Sequence, residues 1–357
     1  MKQLTAISLF SGAGGLDVGF ELSGYTIVFA NEFDHDAANT WRINRPESAH
    51  VMVEGDIINH LGDLASFSHS NIDVVFGGPP CQGFSVAGKM DPQDERSKLV
   101  WVFMDAVEIV RPKVFVMENV AALGQLAKWS KVREGILRRG SELGYDVSFK
   151  VHHTPDYGVP ENRDRVIFVG VRSDVGSTDC FYNQLSKHLS DYKTAREVIL
   201  SAGKYGSKEN PQTCTANVTL ALHPVLRKSP YAGMLVNGAG RPINLNGIAP
   251  TLPASMGGNK TPIVDEVSLH NESVSNWFET YHTKITNGAA LPDSTIVPDT
   301  IRRLTIKECA AIQTFPPDYR FSGRKTKQYK QIGNAVPCRF AEAVASSVRD
   351  AYFLEDN

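Results

Sequence analysis

Four short apolar runs alternate with helix-like segments in the first third of the chain, and this alternation constrains the fold more than any other feature. The runs are LTAISLF, TIVFANE, IDVVFGG and KVFVMENV, each rich in β-branched or aromatic residues and followed by polar residues or glycine. Such runs are typical of strands buried on both faces of a parallel sheet. Residues 95–110 carry apolar side chains at helical spacing and precede Pro112, which predicts a crossover helix. The sequence therefore predicts a doubly wound α/β domain.

The later part of the chain has a different composition. DVSFKVHH and DRVIFVGV predict two further strands, and residues 203–300 are then rich in Gly, Pro, Asn, Ser and Thr with few helical patterns. An amphipathic pattern over residues 338–353 predicts a last helix that packs back onto the first domain. We expect a larger domain formed by residues 1–185 and 330–357, and a smaller, loop-rich domain formed by residues 186–329.

Composition and cysteine usage exclude several classes of protein. The 357 residues are 42% hydrophobic and 21% charged with a formal net charge of -2, which is ordinary for a globular chain. No apolar run approaches the roughly 18 residues of a membrane span, and MKQLTAISLF lacks the features of a secretory signal. The five scattered cysteines form no CxxC pair, so neither a disulfide framework nor a zinc site is predicted. We expect a cytoplasmic protein without a metal.

A glycine-rich turn follows the first predicted strand. The turn FSGAGGL contains Phe10, Gly12, Gly14 and Leu16 and lies where a strand leads into a helix. Glycines at this position expose backbone N–H groups and remove side-chain bulk beside a ligand. The turn predicts a cofactor site, although similar turns occur in α/β proteins without this function and the spacing differs from the GxGxxG dinucleotide fingerprint.

Residues at the next two strand ends predict which cofactor binds there. Glu32 ends the second strand about twenty residues after the glycines, where a carboxylate can bind both hydroxyls of a ribose. The ring of Phe33 could lie against adenine, and Asp56 in Gly55-Asp56-Ile57 could accept from its amino group, although a lone aspartate is more often a helix cap. Because no motif provides for a pyrophosphate, we expect S-adenosylmethionine rather than NAD.

The most specific motif, GGPPCQGFS, follows the third predicted strand. Cys81 comes after two prolines that fix the backbone at the carboxyl end of the sheet, which is where a nucleophile would be placed; a buried structural cysteine is the alternative. Glu118 ends the fourth strand and brings a carboxyl group to the same edge. Arg163 and Arg165 are two residues apart and share one side of an extended chain, although a surface salt-bridge cluster would also fit.

Together these motifs resemble, in order, those of the DNA cytosine-5 methyltransferases of bacterial type II restriction-modification systems. The resemblance rests on FSGAGGL, PPCQGFS, ENV, the two-arginine stretch, Arg303-Leu304-Thr305 with Glu308 and Gln313, and a final QIGNAVP. It covers nearly the whole chain except roughly residues 180–300, where the family carries its variable target-recognition segment. The family usually has glutamine at the position of Glu161, which leaves the role of this residue in doubt.

The resemblance implies a fold and a reaction. The fold would be α/β, an S-adenosylmethionine-dependent methyltransferase Rossmann-like sheet with a smaller target-recognition domain. A cytosine would be flipped out of a short duplex site and methylated at C5. Cys81 would add to C6, and Glu118, kept protonated by burial, would donate to N3. Arg165 would donate to O2 of the base, while Arg163 would support a loop or bind a phosphate.

The same resemblance completes the cofactor and DNA sites. We expect a monomer that acts on double-stranded DNA, with a functionally paired restriction endonuclease that it does not contact. The further candidates are Ile57, Pro80, Asn334, Ala335 and Val336 for the cofactor, Gln82, Ser85 and Lys89 for the flipped nucleotide, and Arg241, Asn259, Lys260 and Arg303 for base or phosphate contacts.

Other functions remain as alternatives at this point. A tRNA cytosine-5 methyltransferase with the same fold is the nearest, since only the length of the segment before residue 301 favours DNA. A catalytically silent DNA-binding homologue is less compatible with the presence of Cys81, Glu118, Arg163 and Arg165. Amino-methylating DNA enzymes use Asp/Asn-Pro-Pro-aromatic in place of Pro79-Pro80-Cys81, and a hydride-transferring enzyme would need the missing dinucleotide fingerprint.

Overall fold

The computed structural model describes residues 3–68, 70–80, 98–289 and 296–354. The chain divides into two compact units. Unit 1 consists of residues 1–158, 164–191 and 336–357, and unit 2 of residues 159–163 and 192–335. The borders lie six residues beyond those expected from the sequence, and the short segment 159–163 joins unit 2 in addition.

Unit 1 is built around a seven-stranded sheet, which contains the six strands that the apolar runs predicted and one further short strand that they did not. The strand order is β3-β2-β1-β4-β5-β7-β6, in which β3, β2, β1, β4 and β5 are parallel and β7 is antiparallel to both of its neighbours. The strands are β1 (Leu4–Leu9), β2 (Tyr25–Glu32), β3 (Met52–Glu54), β4 (Val74–Gly77), β5 (Val114–Val120), β6 (Tyr145–His153) and β7 (Asp164–Arg172). The reversal of the order between β1 and β4 is the place where doubly wound sheets bind ligands.

Helices cover the two faces of this sheet. They are α1 (Gly15–Leu22), α2 (His35–Ile43), α3 (Leu99–Val110), α4 (Ala121–Gln125), α5 (Ser130–Glu142), α6 (Thr178–Leu185) and α12 (Cys338–Tyr352). The predicted crossover helix is α3, which ends as Arg111 adopts a left-handed conformation before Pro112. Phe103, Met104 and Val107 of α3 pack with Phe115 and Met117 of β5 in the main hydrophobic core. This packing fixes the carboxyl ends of β4 and β5.

The last helix packs on the first helix of unit 1, as expected from its amphipathic pattern. A Cβ atom added at Gly19 of α1 would lie 2.4 Å from the carbonyl carbon of Ala341 and from the backbone nitrogen of Glu342. The Ser23 hydroxyl lies 2.9 Å from that of Ser346. The backbones of α1 and α12 therefore approach each other more closely than any residue with a Cβ atom would permit.

Replacing Gly19 with alanine is expected to destabilise the protein. The new methyl group would meet backbone atoms that cannot rotate away, and overpacking of this kind costs about 1–3 kcal/mol. We expect the melting temperature to fall by roughly 5 °C, measured by differential scanning calorimetry. Gly62→Ala is the matched control because no atom lies within 4 Å of its added Cβ. Equal melting temperatures for both variants would contradict the close helix contact.

Unit 2 has little regular structure, as its composition predicted. It contains α7 (Ala195–Ser201), β8 (Leu220–Val225), β9 (Met234–Val236), β10 (Ile263–Asp265), α8 (Glu266–His270), α9 (Trp277–Thr286), β11 (Ile301–Arg303), α10 (Ile306–Ile312) and α11 (Lys325–Asn334). A small core joins Leu235 and Val236 of β9 to Ile263, Phe278 and Tyr281. None of the helices in the described parts of either unit is long and apolar enough to cross a membrane.

Candidate active site

The glycine-rich turn at the end of β1 has an unusual backbone. Phe10, Gly12 and Gly14 have φ values of 54°, 56° and 85°, and a bulky residue such as phenylalanine rarely adopts a positive φ. The turn is held in place by a hydrogen bond in which the Ser11 amide donates to the Asn31 carbonyl at 3.0 Å. Backbone strain of this kind is concentrated at ligand-binding turns. Leu16 is buried at the start of α1, so its side chain faces the core.

Glu32 is fixed at the end of β2 by two backbone amides. Its Oε2 atom accepts from the Gly12 amide at 2.7 Å, and its Oε1 atom accepts from the Asp34 amide at 2.7 Å. Burial raises the pKa of Glu32, while the backbone hydrogen bonds act in the opposite direction. Because each carboxylate oxygen has a second lone pair, Glu32 could accept hydrogen bonds from two hydroxyls of a ligand.

The remaining adenosine-binding candidates lie beside Glu32. Asn31 donates through Nδ2 to the carbonyls of Val53 and Gly55, which holds the turn carrying Asp56 next to β2. The side chain of Phe33 is 75% exposed, as a ring that stacks on a base would need to be. Asp56 caps the following 3₁₀ turn by accepting from the Ile58 amide. The side chain of Ile57 is 2% exposed and belongs to the core, which leaves its backbone as the part that could face a cofactor.

These groups fit an adenosine moiety. A strained turn with free space at Gly12, an anchored carboxylate and an exposed aromatic ring occur together at the carboxyl edge of the parallel strands. Asn31 was missed by sequence reasoning, although it acts on the turn through two hydrogen bonds. Its position directly before Glu32 was the one available signal, because amide side chains at strand ends commonly satisfy neighbouring carbonyls.

Glu118, Arg165 and the Gly-Pro-Pro turn meet at the same edge of the sheet. Glu118 is buried at the end of β5, and its Oε1 atom lies 2.6 Å from Nε of Arg165 on the neighbouring strand β7. A Cβ atom added at Gly78 would lie 2.9 Å from Oε2 of Glu118. Asn119 donates through Nδ2 to the Pro79 carbonyl at 3.0 Å. The carboxylate is thus held beside the turn that leads through half-buried Pro80 to Cys81.

Cys81 itself, together with Gln82, Ser85 and Lys89, lies outside the described residues. The backbone that precedes Cys81 is described as far as residue 80. This geometry explains why position 78 is a glycine, because a side chain there would collide with the Glu118 carboxylate. Sequence reasoning did not assign a role to Gly78 or Asn119.

Arg163 has a supporting position rather than one facing a substrate. Its side chain is 2% exposed in unit 2, and its Nη2 atom donates to the carbonyls of Gly333 and Ala335 at 2.9 Å. Glu161 is fully buried beside it, and its Oε1 atom accepts from the Leu252 amide at 2.6 Å and from Nη1 of Arg163 at 3.3 Å. Of the two predicted roles for Arg163, these contacts fit loop support.

Arg303 is also internal, which corrects its prediction as a DNA contact. Its side chain is 3% exposed, and its guanidinium donates to the backbone carbonyls of Ala216, Asn237, Asn259 and Thr261. A guanidinium that satisfies several buried carbonyls cannot be withdrawn without leaving them unpaired. Its neighbour Arg302 is likewise buried and forms ion pairs with Glu266 and Glu308.

The other predicted DNA and cofactor residues have different surroundings. Arg241 is half-buried and donates to the Gly233 carbonyl at 2.7 Å, whereas Asn259 and Lys260 are exposed. Asn334 is the exposed last residue of α11 in unit 2. Ala335 is buried beside Arg163, and Val336 is a buried residue of unit 1. Within the ranges that the structure describes, no cluster of His, Cys, Asp and Glu could hold a metal ion.

Comparison with known sequences shows similarity to one family over almost the full length. The model for the C-5 cytosine-specific DNA methylase family matches residues 4–350. The type II methyltransferase M1.HphI of Haemophilus parahaemolyticus is 32% identical over 352 residues, which are 97% of this chain and 86% of that protein. M.PspPI of a Psychrobacter species is 33% identical over 356 residues, covering 97% and 79% of the two proteins.

Solved structures show the same fold at lower sequence identity. A DNA modification methyltransferase encoded within an Escherichia coli prophage has a TM-score of 0.66 and 23% identity, with coverage of 97% of this chain and 99% of that one. The Dnmt2 methyltransferase of Schizosaccharomyces pombe has a TM-score of 0.62 and 16% identity, with coverage of 97% and 98%. Both comparisons support the methyltransferase fold of the seven-stranded sheet.

Proposed function

We propose a mechanism on the premise that this chain belongs to the C-5 cytosine-specific DNA methylase family and is a DNA cytosine-5 methyltransferase. In this proposal Cys81 is the nucleophile, Glu118 and Arg165 act on the flipped cytosine, and S-adenosylmethionine is the methyl donor. The observation that carries the assignment is the Glu118 carboxylate, which is 2.6 Å from Arg165 and beside the Gly78-Pro79 turn that precedes Cys81.

The cysteine is needed because C5 of cytosine is a poor nucleophile. The Cys81 thiolate adds to C6 and breaks the C5–C6 double bond, and the electron pair released makes C5 nucleophilic. Glu118 donates a hydrogen bond or proton to N3, which stabilises the charge that this attack creates. After C5 has been methylated, its proton is removed by a base or water, the C5–C6 double bond forms again and Cys81 leaves as thiolate, while any proton taken up at N3 returns to Glu118.

Arg165 has two functions in this scheme. Its Nε atom orients the Glu118 carboxylate, since both side chains are largely shielded from solvent and come from adjacent strands. A guanidinium presents five N–H groups in a fixed geometry, so other donors of Arg165 can bind O2 of the base. Arg163 contributes indirectly, by holding the Gly333 and Ala335 carbonyls at the end of α11.

The adenosine part of the cofactor would be bound at the ends of β1 and β2. Glu32 would accept from the ribose hydroxyls, Phe33 would stack on adenine and Asp56 would accept from the adenine amino group, beside the turn of Phe10, Gly12 and Gly14. The backbone of Ile57 and the residues Pro80, Asn334, Ala335 and Val336 complete the proposed set. When bound, S-adenosylmethionine supplies an electrophilic methyl group.

The biological setting is proposed from the relatives. M1.HphI, M.DdeI and M.PspPI are all named as type II methyltransferases. We propose that this protein likewise modifies short sites in double-stranded DNA, as a monomer, and protects them from a restriction endonuclease with which it makes no direct contact.

The reaction can be tested by identifying the modified base. Incubation with S-adenosylmethionine and plasmid DNA, followed by digestion to nucleosides and mass spectrometry, is expected to yield 5-methyldeoxycytidine. Cys81→Ala should abolish this product because no adduct can form at C6. The variant should still bind S-adenosylhomocysteine, which would show that it is folded.

Parallel reactions separate the alternatives. Total tRNA replaces plasmid DNA in one arm, and Cys180→Ala replaces Cys81→Ala in another, since Cys180 is an exposed cysteine of unit 1 outside the proposed site. Formation of 5-methylcytidine in tRNA alone would overturn the DNA assignment. Full activity of Cys81→Ala would overturn the covalent mechanism.

A further inference from the structure

A β-hairpin in unit 2 combines exposed apolar side chains with two positive charges. The hairpin is formed by β8 and β9, residues 220–236, which pair antiparallel from Leu220 with Val236 to Val225 with Met234. Leu222 on β8 is 84% exposed, and Val225, Leu226 and Met234 are also among the exposed large hydrophobic residues. Arg227 and Lys228 lie exposed at the tip. Exposed apolar side chains that are grouped together and bordered by polar or charged residues mark interaction sites.

The hairpin tip is held by side chains from outside the hairpin. Tyr231 donates through its hydroxyl to the Glu279 carboxylate on α9 at 2.7 Å, and His282 of α9 lies 2.8 Å from the Arg227 carbonyl. Arg241 donates to the Gly233 carbonyl at 2.7 Å. The base of the hairpin is anchored as well, because Leu235 and Val236 belong to the core of unit 2. These contacts define a fixed platform from which Leu222, Arg227 and Lys228 project.

The charge around the hairpin favours an anionic partner. Unit 2 contains 18 Lys and Arg residues against 11 Asp and Glu residues, whereas the whole chain has a net charge of -2. The stretch 211–264, which includes the hairpin, contains no Asp or Glu and has four basic residues. Of these four, Arg227, Lys228 and Lys260 are exposed, and Arg241 supports the tip. The one carboxylate bound at the tip, Glu279, accepts the Tyr231 hydroxyl.

Shape and chemistry select duplex DNA among anionic partners. A two-stranded β-ribbon fits the major groove, where thymine presents a methyl group that apolar side chains contact. Exposed cations beside the ribbon can meet the phosphates that border the groove. Leu222 and Met234 would supply the apolar contacts and Arg227 and Lys228 the cationic ones.

We propose that the β8–β9 hairpin is the element that inserts into the major groove of the DNA substrate and discriminates its target sequence. Leu222 contacts base edges, Arg227 and Lys228 bind flanking phosphates, and Arg241 is a positioning residue that holds the tip. The proposal rests on the proposed function, since it requires DNA as the substrate. The proposal places the surface that reads the DNA sequence on the hairpin rather than at Arg241 and Arg303, whose guanidinium groups bind backbone carbonyls.

The charge contribution is tested with the double variant Arg227→Ala/Lys228→Ala. We expect its KM for plasmid DNA to rise about 10-fold or more at moderate salt, with kcat at saturating DNA unchanged within twofold. The slope of log KM against log salt concentration should fall by about 1 to 2, because each lost phosphate contact removes roughly 0.9. Lys204→Ala/Lys208→Ala, two exposed lysines of unit 2 outside the hairpin, is the matched control and should match the wild type.

The apolar contribution is tested with Leu222→Ser. The wild type and the variant methylate a library of random duplexes, and bisulfite sequencing gives the preferred site of each. We expect the preference at one or more base pairs of the site to fall by about 5- to 10-fold. Leu189→Ser, which changes an exposed leucine of unit 1, should leave the site preference unaltered.

Three results would separate this proposal from its competitors. Unchanged KM, salt slope and site preference in the hairpin variants, with an active wild type, would overturn the hairpin assignment alone. Absence of DNA methylation by the wild type would instead overturn the proposed function. Sedimentation of the wild type as a dimer that Leu222→Ser dissociates, with methylation unaltered, would identify a second copy of the chain as the partner and overturn the DNA assignment.

Discussion

Glu118→Gln is expected to lower kcat for DNA methylation by about 10²- to 10⁴-fold, the usual contribution of a positioned proton donor or acceptor. Glutamine retains the size of the side chain and can accept from Arg165 through its carbonyl oxygen, but it cannot transfer a proton to N3. The loss should appear in single-turnover reactions at saturating DNA and S-adenosylmethionine, because it acts on the chemical step.

The controls separate chemistry from folding. Glu118→Gln should bind S-adenosylhomocysteine as the wild type does, because Glu118 itself is not among the proposed cofactor residues. Glu134→Gln makes the same chemical change at an exposed position of α5 and should be fully active. If Glu118→Gln retained more than a tenth of the wild-type rate, Glu118 would not be the group that acts on N3, and its ion pair with Arg165 would be structural.

The fold was predictable where strong local patterns exist. β-branched runs marked β1, β2, β4 and β5, and Pro112 marked the end of α3. The antiparallel direction of β7 was not predictable. Side chains alternate between the two faces of the sheet in the same way whether a strand runs parallel or antiparallel to its neighbour, and β7 pairs with β5, which is far away in the chain. Strand β3 was not predicted because its three residues, Met52–Glu54, are too few to show a repeating pattern of apolar side chains.

The arrangement of the candidate site was likewise predictable only in part. Glu118 and the Pro79-Pro80 turn were expected at one place because the carboxyl ends of neighbouring parallel strands share one edge. The closeness of Glu118 to Gly78 and the hydrogen bond from Asn119 to Pro79 are consequences of that topology. The positions of Arg163 and Arg303 were not predictable. A sequence shows that an arginine is charged, but its carbonyl partners come from loops up to 172 residues away.

Glu32→Ala is expected to weaken the binding of S-adenosylhomocysteine by about 100-fold. Two hydrogen bonds from ribose hydroxyls to a carboxylate would be lost, and bonds to charged groups contribute about 1.5–3 kcal/mol each, part of which water restores. The variant also removes the acceptor of the Gly12 amide, and the weaker support of the glycine-rich turn accounts for part of the loss in affinity. Isothermal titration calorimetry measures the Kd directly. Glu47→Ala, an exposed glutamate after α2, is the matched control.

The same residue predicts a pH dependence that distinguishes ribose binding from support of the turn. Burial raises the pKa of Glu32, so the carboxylate becomes protonated as the pH falls towards that raised pKa, and a protonated carboxyl loses acceptor capacity. Wild-type affinity should therefore decrease at acidic pH, whereas Glu32→Gln should show a weaker, nearly pH-independent affinity over the same range. A Glu32→Gln variant whose affinity follows the wild-type pH profile would assign the titration to another group and leave Glu32 as a support for the Gly12 turn alone.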